Sequence, residues 1–528
     1  MQKLAINAES VALHHQLNQT QTAYPETQSV AELYESAAER WPYARAVVHG
    51  EEWLSYRELN ERANILAWRL MDEGVQPGNV VSVGLTRSIE LIVSLLAILK
   101  AGAAYLPIDP SWPRQRLEEL FHQAQSRWLL CGGSHDPGLH SCRRILVALE
   151  ELRNGPICSP RGRANAQSIA YIVFTSGSTG KPKGVPIQHR AIARLVFGAR
   201  YAPLNHESRL LQLAPVTFDA ATFEIWGALL RGGTCVLYPE SFVRASQLKR
   251  VLEAERITVL FLTTALFNAL IDEAPQTLAS VPTVLTGGEA HSLRHMRKAL
   301  RIYGSDRIVS VYGPTESTTF ATYYPVRHIA GDETALPIGF PIQNTRVYLI
   351  HQDVLCKAGE IGEIYLAGHG LSPGYLGLPE LTGERFLERD IDNRCERLYR
   401  TGDLGYLRAD GAVVFQGRTD DQMKINGFRI ELGEVAYHLN QHPEIQQSYV
   451  TVNDQSGEKY LLAFVVPRSP DCRAETLRQS LAASLPNYLV PARIQLCERL
   501  PLSPTGKVDR QYLLSMLKQP GVDRHEHQ

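Results

Sequence analysis

Short, uniformly apolar runs alternate along this chain with longer stretches in which apolar residues recur every three or four positions. VVSVGL (80–85), AYIVFT (170–175), VLFL (259–262) and TVLTGG (283–288) are of the first kind. Strands buried on both faces have this texture, and helical stretches between them predict parallel α/β units. IELIVSLLAILKAG (89–102) is of the second kind and predicts a core helix ending in a left-handed cap at Gly102. After about residue 335 the texture changes to glycine-punctuated strands, VYLI (347–350), GEIYLAG (362–368) and AVVFQG (412–417), which predict an antiparallel sheet or barrel appended to the α/β body. Between 425 and 515 the strands SYVTV and LLAFVV and the helices ELGEVAYHLNQH and AETLRQSLAASL suffice for a second domain. Residues 1–28 are polar and Gln/Thr-rich, a composition that reads as an inter-domain linker, so the fold is expected to start near Val30.

The expected division is thus a linker-like 1–28, a large domain over 29–419, a small domain over 420–516 and a polar tail over 517–528. At 528 residues, 44% hydrophobic and 21% charged, the chain has ample core for several folding units, and neither disorder nor a fibrous repeat describes it. Fifty-four basic against 55 acidic side chains leave a formal charge of −1, which offers no general attraction to nucleic acid or to an acidic membrane face. The eight cysteines contain no C-x-x-C pair, and no signal peptide or apolar span is visible, so reduced thiols in a cytoplasmic setting are expected.

One loop concentrates chemistry. Thr175-Ser176-Gly177-Ser178-Thr179-Gly180-Lys181-Pro182-Lys183-Gly184 follows the apolar run AYIVFT. Its glycines let backbone N–H groups approach an anion, its hydroxyls add donors and its lysines add charge, which suits phosphate. It is not a Walker A loop, because the motif's spacing counted from Gly177 lands on Pro182, which also blocks a helix from starting where that motif needs one.

The decamer resembles the phosphate loop of adenylate-forming enzymes: acyl-CoA synthetases, luciferases and the adenylation domains of nonribosomal peptide synthetases. The resemblance to the peptide-synthetase branch extends to about residue 515 through motifs in family order: LSYREL (54–59), LKAGAAYLPID (99–109), the loop, FDAATFEIW (218–226), YGPTE (312–316), GEIYLAGHGLSPGYL (362–376), YRTGDL (399–404), GRTDDQMKINGFRIELGEV (417–435), LPNYLVP (485–491) and TGKVDR (505–510). It implies an α/β large N-terminal domain of two parallel α/β subdomains plus a β-barrel-like subdomain, and a small mobile C-terminal α+β domain. The implied activity is activation of an amino acid with ATP and Mg²⁺ to the aminoacyl-adenylate, followed by transfer to the phosphopantetheine thiol of a peptidyl carrier protein or domain. A small helper protein is a further candidate partner. An acyl-CoA synthetase-like ligase and a catalytically inactive nucleotide-binding scaffold are the competing readings.

The resemblance also implies residue roles. Thr175, Ser176, Gly177, Ser178, Thr179, Gly180 and Lys183 hold phosphates; Gly288, Tyr312, Gly313, Thr315 and Arg418 contact the nucleotide, with Tyr312 stacking on adenine; Glu316 holds Mg²⁺; Asp403 anchors the ribose. Lys507 is the catalytic lysine, and Asp420 is the hinge about which the small domain withdraws Lys507 and brings Lys424 to Gly427 toward the carrier arm. Taken singly, the loop would be a surface turn, Glu316 a solvated carboxylate, Asp403 a turn cap and Lys507 a surface charge. Only the ordered context raises them above that.

Alignment with the family assigns Asp219, Ala220, Phe223, Phe261, Leu285, Gly287, Val311, Thr319 and Phe320 to the amino-acid pocket, closed by Lys507. A buried carboxylate at 219 asks for the substrate's α-ammonium, whereas a fatty or aryl acid would leave it unpaired; the alternative is an Asp capping a helix that begins near Ala220. The remaining lining is apolar with Thr319 as its only side-chain donor, and Gly287 returns some volume. A branched aliphatic side chain fits, isoleucine before valine. Departures from the family pattern are Ser310 before Val311-Tyr312, Asn426 within KINGFR, and Thr505 before Gly506. A carrier attachment motif is not found after the last block, and Leu130-Cys131-Gly132-Gly133-Ser134 is a near miss in the wrong place.

Overall fold

The computed structural model describes residues 2–4, 8–133, 139, 142–177, 180–420, 422–425, 427–453, 459–501 and 508–517. Its chain divides into two compact units. The first comprises 1–110, 120–174 and 184–420; the second comprises 111–119, 175–183 and 421–528. The phosphate-type loop and a short segment before it therefore group with the C-terminal residues, although the sequence texture places both in the large domain.

Two sheets of mostly parallel strands dominate the first unit. One runs in the order Phe340–Pro341, Thr322–Pro325, Ile308–Tyr312, Thr283–Gly287, Val259–Thr263, Arg209–Gln212, Thr234–Leu237, Arg45–His49, Glu52–Ser55. It is parallel from Ile308–Tyr312 to Arg45–His49 and antiparallel at both edges. The other runs Arg143–Leu146, Trp128–Cys131, Val80–Gly84, Ala104–Pro107, Ile169–Thr175, Lys183–Gln188. The apolar runs read from the sequence are thus central strands.

Helix Ile89–Lys100 starts with the Ser88 hydroxyl accepting from the Leu91 N–H and ends before Gly102, whose φ of +79° is the left-handed conformation read from the sequence. Every residue in it except Glu90 is buried. Lys100 is held by the Glu35 carboxylate and, at 3.2 Å, by the Ser159 hydroxyl, so the charge in this core helix is paired. Helix Val30–Arg40 opens on a Ser29/Glu32 capping box.

After residue 335 a seven-stranded, largely antiparallel sheet takes over, built around the long strand Arg394–Leu407. Against expectation, residues 8–20 pack onto this sheet and are not a linker. Ala8–Leu17 is helical; buried His14 bonds the Ser10 carbonyl (2.9 Å) and, through its other nitrogen, the Leu349 N–H (3.2 Å). The Asn18 amide bonds both the carbonyl and the N–H of Val347 (3.0 and 2.8 Å), and the Thr20 hydroxyl donates to the Thr345 carbonyl (2.6 Å). Polar side chains here satisfy strand backbone, a use of polarity that hydropathy does not register.

In the second unit a hairpin, Gln422–Ile425 with Phe428–Glu431, precedes a three-stranded sheet of Ile445–Asn453, Tyr460–Pro467 and Arg493–Leu496, with helices Leu432–Asn440 and Ala474–Ala482. Ile430, Val435, Leu439, Val450, Val452 and Leu477 form its core. Among the described residues no helix is long and apolar enough to cross a membrane.

Candidate functional site

Asp219 immediately precedes helix Ala220–Leu229. It occupies the cap position, but its own φ and ψ are helical (−65° and −21°) and its side chain makes no cap bond. Instead Oδ2 accepts from the Thr315 hydroxyl at 2.7 Å, on a half-buried carboxylate. Four residues on, and so on the same helix face, is Phe223. Its ring centroid lies 5.2 Å from that of Phe320, which lies 5.7 Å from that of Phe261. Tyr201, to which the sequence assigned no role, meets Phe320 edge-on at 5.6 Å. Leu285 pairs with Phe261 across adjacent strands, and Val311 pairs with Gly287.

Two expectations change here. A Cβ at Gly287 would fall 2.1 Å from the Val311 carbonyl oxygen, so this glycine permits close strand approach and returns no volume. The Thr319 hydroxyl, expected to face a substrate, donates to the Asp219 carbonyl at 2.9 Å. Thr318 and Thr319 both have positive φ, +55° and +67°, a strained state for β-branched residues.

A second group in the large unit surrounds Asp403. Its Oδ2 accepts from the Tyr312 hydroxyl at 2.5 Å and its Oδ1 accepts from Arg418. Burial, reinforced by the Asp403 charge, raises the Tyr312 phenol well above its usual range, so it stays protonated. Arg418 also holds Asp420 through Nε (2.7 Å) and Nη2 (3.1 Å), and Arg385 approaches Asp420 at 3.7 Å. Asp403 is 6% exposed, with each oxygen already engaged and lone-pair capacity remaining for a diol.

Glu316, in the turn Thr315–Ser317, is fully buried, and its Oε1 accepts from the Tyr375 hydroxyl at 2.8 Å. A solvated loop carboxylate it is not. Among the described residues no three His, Cys, Asp or Glu side chains cluster as a metal cage. A single carboxylate suits Mg²⁺, which takes one or two protein oxygens and completes its shell with phosphates and water. Gly288 and Gly313 follow the strands Thr283–Gly287 and Ile308–Tyr312, at the carboxyl ends where open α/β sheets hold ligands.

Within the second unit the loop's donors face carboxylates. The Gly177 N–H points to Glu434 Oε2 (3.3 Å), and the Lys183 ammonium lies 3.5 Å from Glu431. The Ser176 hydroxyl donates to the Arg429 carbonyl (2.8 Å) and accepts from the Glu431 N–H (3.0 Å). Glu434 also accepts from Arg116 at 2.7 Å; burial raises its pKa against the pull of that guanidinium. The Thr175 hydroxyl is buried without a hydrogen-bond partner among the described residues. Gly180 closes the turn by donating to the Gly177 carbonyl (3.1 Å). Arg116, Glu431 and Glu434 carried no assigned role in the sequence, and nothing in the spacing around Arg116 distinguishes it. Lys507, Ser178, Thr179, Thr505, Asn426 and Ser134 lie outside the described residues.

The chain belongs to the AMP-binding enzyme family, whose model matches residues 34–376; a second family model, the AMP-binding enzyme C-terminal domain, matches 434–507. It is similar to malpibaldin synthetase of Mortierella alpina, 41% identical over 95% of this chain and 9% of that protein. It is also similar to bacitracin synthase 3 of Bacillus licheniformis, 39% identical over 94% of this chain and 8% of that protein. This chain thus spans under a tenth of the length of these two relatives. Among solved structures it resembles PA1221, an NRPS protein containing adenylation and PCP domains, at 32% identity and a TM-score of 0.84, covering 97% of this chain and all of that one. A fused adenylation–PCP di-domain from Klebsiella oxytoca matches at 28% identity and TM-score 0.79 over 89% of this chain and 93% of that one.

Proposed function

We propose that this chain activates a branched aliphatic L-amino acid, isoleucine before valine, as its adenylate and passes it to a carrier-bound thiol. The observation carrying this is the Asp219 carboxylate, which makes no cap bond to its helix and lies one turn from a wall of three phenylalanines. An ammonium satisfies the carboxylate; an apolar side chain satisfies the wall.

In the first half-reaction a substrate carboxylate oxygen attacks the ATP α-phosphorus, and pyrophosphate departs with the electron pair of the broken P–O bond. The attacking group is ionised at neutral pH, so no general base is needed. The protein's task is to align the reactants and neutralise charge. Lys507 serves that task by its place in TGKVDR, the loop 175–183 receives phosphates, Tyr312 lies against the base and Asp403 receives the ribose hydroxyls. Glu316 would hold Mg²⁺, which when bound offsets phosphate charge. In the second half-reaction the carrier thiolate attacks the mixed-anhydride carbonyl and AMP leaves; a turn about Asp420 separates the two steps.

The test is ATP–pyrophosphate exchange across the twenty amino acids. Exchange should be greatest with isoleucine and valine. Exchange with no amino acid would overturn the reading, and exchange with fatty or aryl acids alone would replace it with an acyl ligase.

A further inference from the structure

Arg194 lies on helix His189–Val196 and is fully buried. Among the described residues no carboxylate pairs with it. Burial lowers its pKa to about 10, so it remains a cation at neutral pH. A fold seldom keeps a guanidinium without a counter-charge in its core, because apolar packing there is as stabilising or more so. What it does hold is mostly main chain: Nη1 donates to the Phe320 carbonyl (2.8 Å) and to one side chain, the Thr345 hydroxyl (3.2 Å), and Nη2 donates to the carbonyls of Ser317 (2.5 Å) and Thr318 (3.5 Å).

These carbonyls flank the two threonines with left-handed backbone, a conformation that persists only where surroundings over-determine it. The same segment sets the Thr319 hydroxyl on the Asp219 carbonyl and the Phe320 ring between Phe223 and Phe261. The other side of the guanidinium is shaped to fit: a Cβ on Gly370 would lie 1.7 Å from Nη2, and the Thr318 hydroxyl donates to the Gly370 carbonyl at 2.7 Å. We infer that Arg194 is a positioning residue for amino-acid selection, holding the 317–320 segment so that Phe320 and Asp219 keep their spacing. The inference rests on the pocket assignment made above.

The test pairs Arg194→Lys, which keeps the charge but loses the planar fork, with Gly370→Ala, which keeps Arg194 but displaces the fork. For both, the KM for isoleucine should rise ~10-fold or more and the ratio of kcat/KM between isoleucine, valine and leucine should flatten. The KM for ATP should stay within about twofold. A residue with a merely structural role would lower the melting temperature and the amount of active enzyme without moving the selectivity ratio. Phe320→Ala is the control on the pocket. If it leaves selectivity unchanged, the pocket assignment fails; if it shifts selectivity while both fork variants keep the wild-type ratio, the role of Arg194 is overturned. Failure of both fork variants to fold also overturns it, since structure alone then accounts for the residue.

Discussion

Replacing Asp219 with alanine separates the two roles its position allows. One carboxylate oxygen is held by Thr315 at 2.7 Å and the side chain makes no cap hydrogen bond to the helix. A hydrogen bond to an ammonium is charge-assisted and contributes about 1.5–3 kcal/mol. At ~1.4 kcal/mol per decade that is about a 10- to 150-fold rise in amino-acid KM. Because Asp219 is only half-buried, solvent screening places the effect in the lower part of that range. The ammonium is bound alike in ground and transition states, so kcat should change little. Stability should also change little, whereas loss of a true cap costs about 0.5–2 kcal/mol. The assay is pyrophosphate exchange titrated with isoleucine and, in parallel, with its 2-hydroxy analogue, which lacks the ammonium. Alanine at 219 should narrow the gap between the two acids. An unchanged KM together with a destabilised fold would mean that the carboxylate serves the helix.

Lys507→Ala should slow adenylation by several orders of magnitude while ATP affinity changes little, measured by single-turnover adenylate formation against nucleotide titration; an unchanged rate refutes its role. Asp403→Asn should raise the KM for ATP ~10-fold and leave that for the amino acid alone, since its partners Tyr312 and Arg418 are the residues proposed above to serve the nucleotide. Part of the acid sensitivity should come from His189, fully buried, with Nδ1 accepting from the Val30 N–H at 3.0 Å; burial also lowers His14 and His291, each to about 4, and they share the same pH window. Burial lowers the His189 pKa from 6.5 to about 3, so the unfolded chain binds the extra proton and stability falls as pH drops through that window. Between pH 7 and 4.5 this contributes about 2–3 kcal/mol, and denaturant titrations should show a shallower fall of stability with pH in His189→Asn. A slope identical to wild type would rule His189 out as a contributor.

Where hydropathy and turn chemistry decide structure, the sequence was legible: the central strands, the buried helix Ile89–Lys100 and its Gly102 cap lie where the pattern places them. Residues 8–20 were misread because Asn18 and Thr20 are polar yet act as backbone partners of a strand. The residues assigned to the proposed pocket stand in recognisable motifs, but what they touch was not legible: that Val311 fills the space beside Gly287, or that Thr319 bonds Asp219, follows from long-range register. Tyr201 and Arg194 gave no signal, and Tyr375 stands inside a motif without a role of its own, because a lone aromatic in a loop or a lone cation on a helix has no spacing rule to betray its partner.

The acidic neighbours of the loop 175–183 change what anion affinity means there. Lys183 and the Gly177 N–H face Glu431 and Glu434, so under the proposed function an incoming polyphosphate would exchange one negative partner for another. The strength of uptake would then be a difference between two attractions, and such an exchange would ease the departure of a highly charged leaving group once it has been cut free.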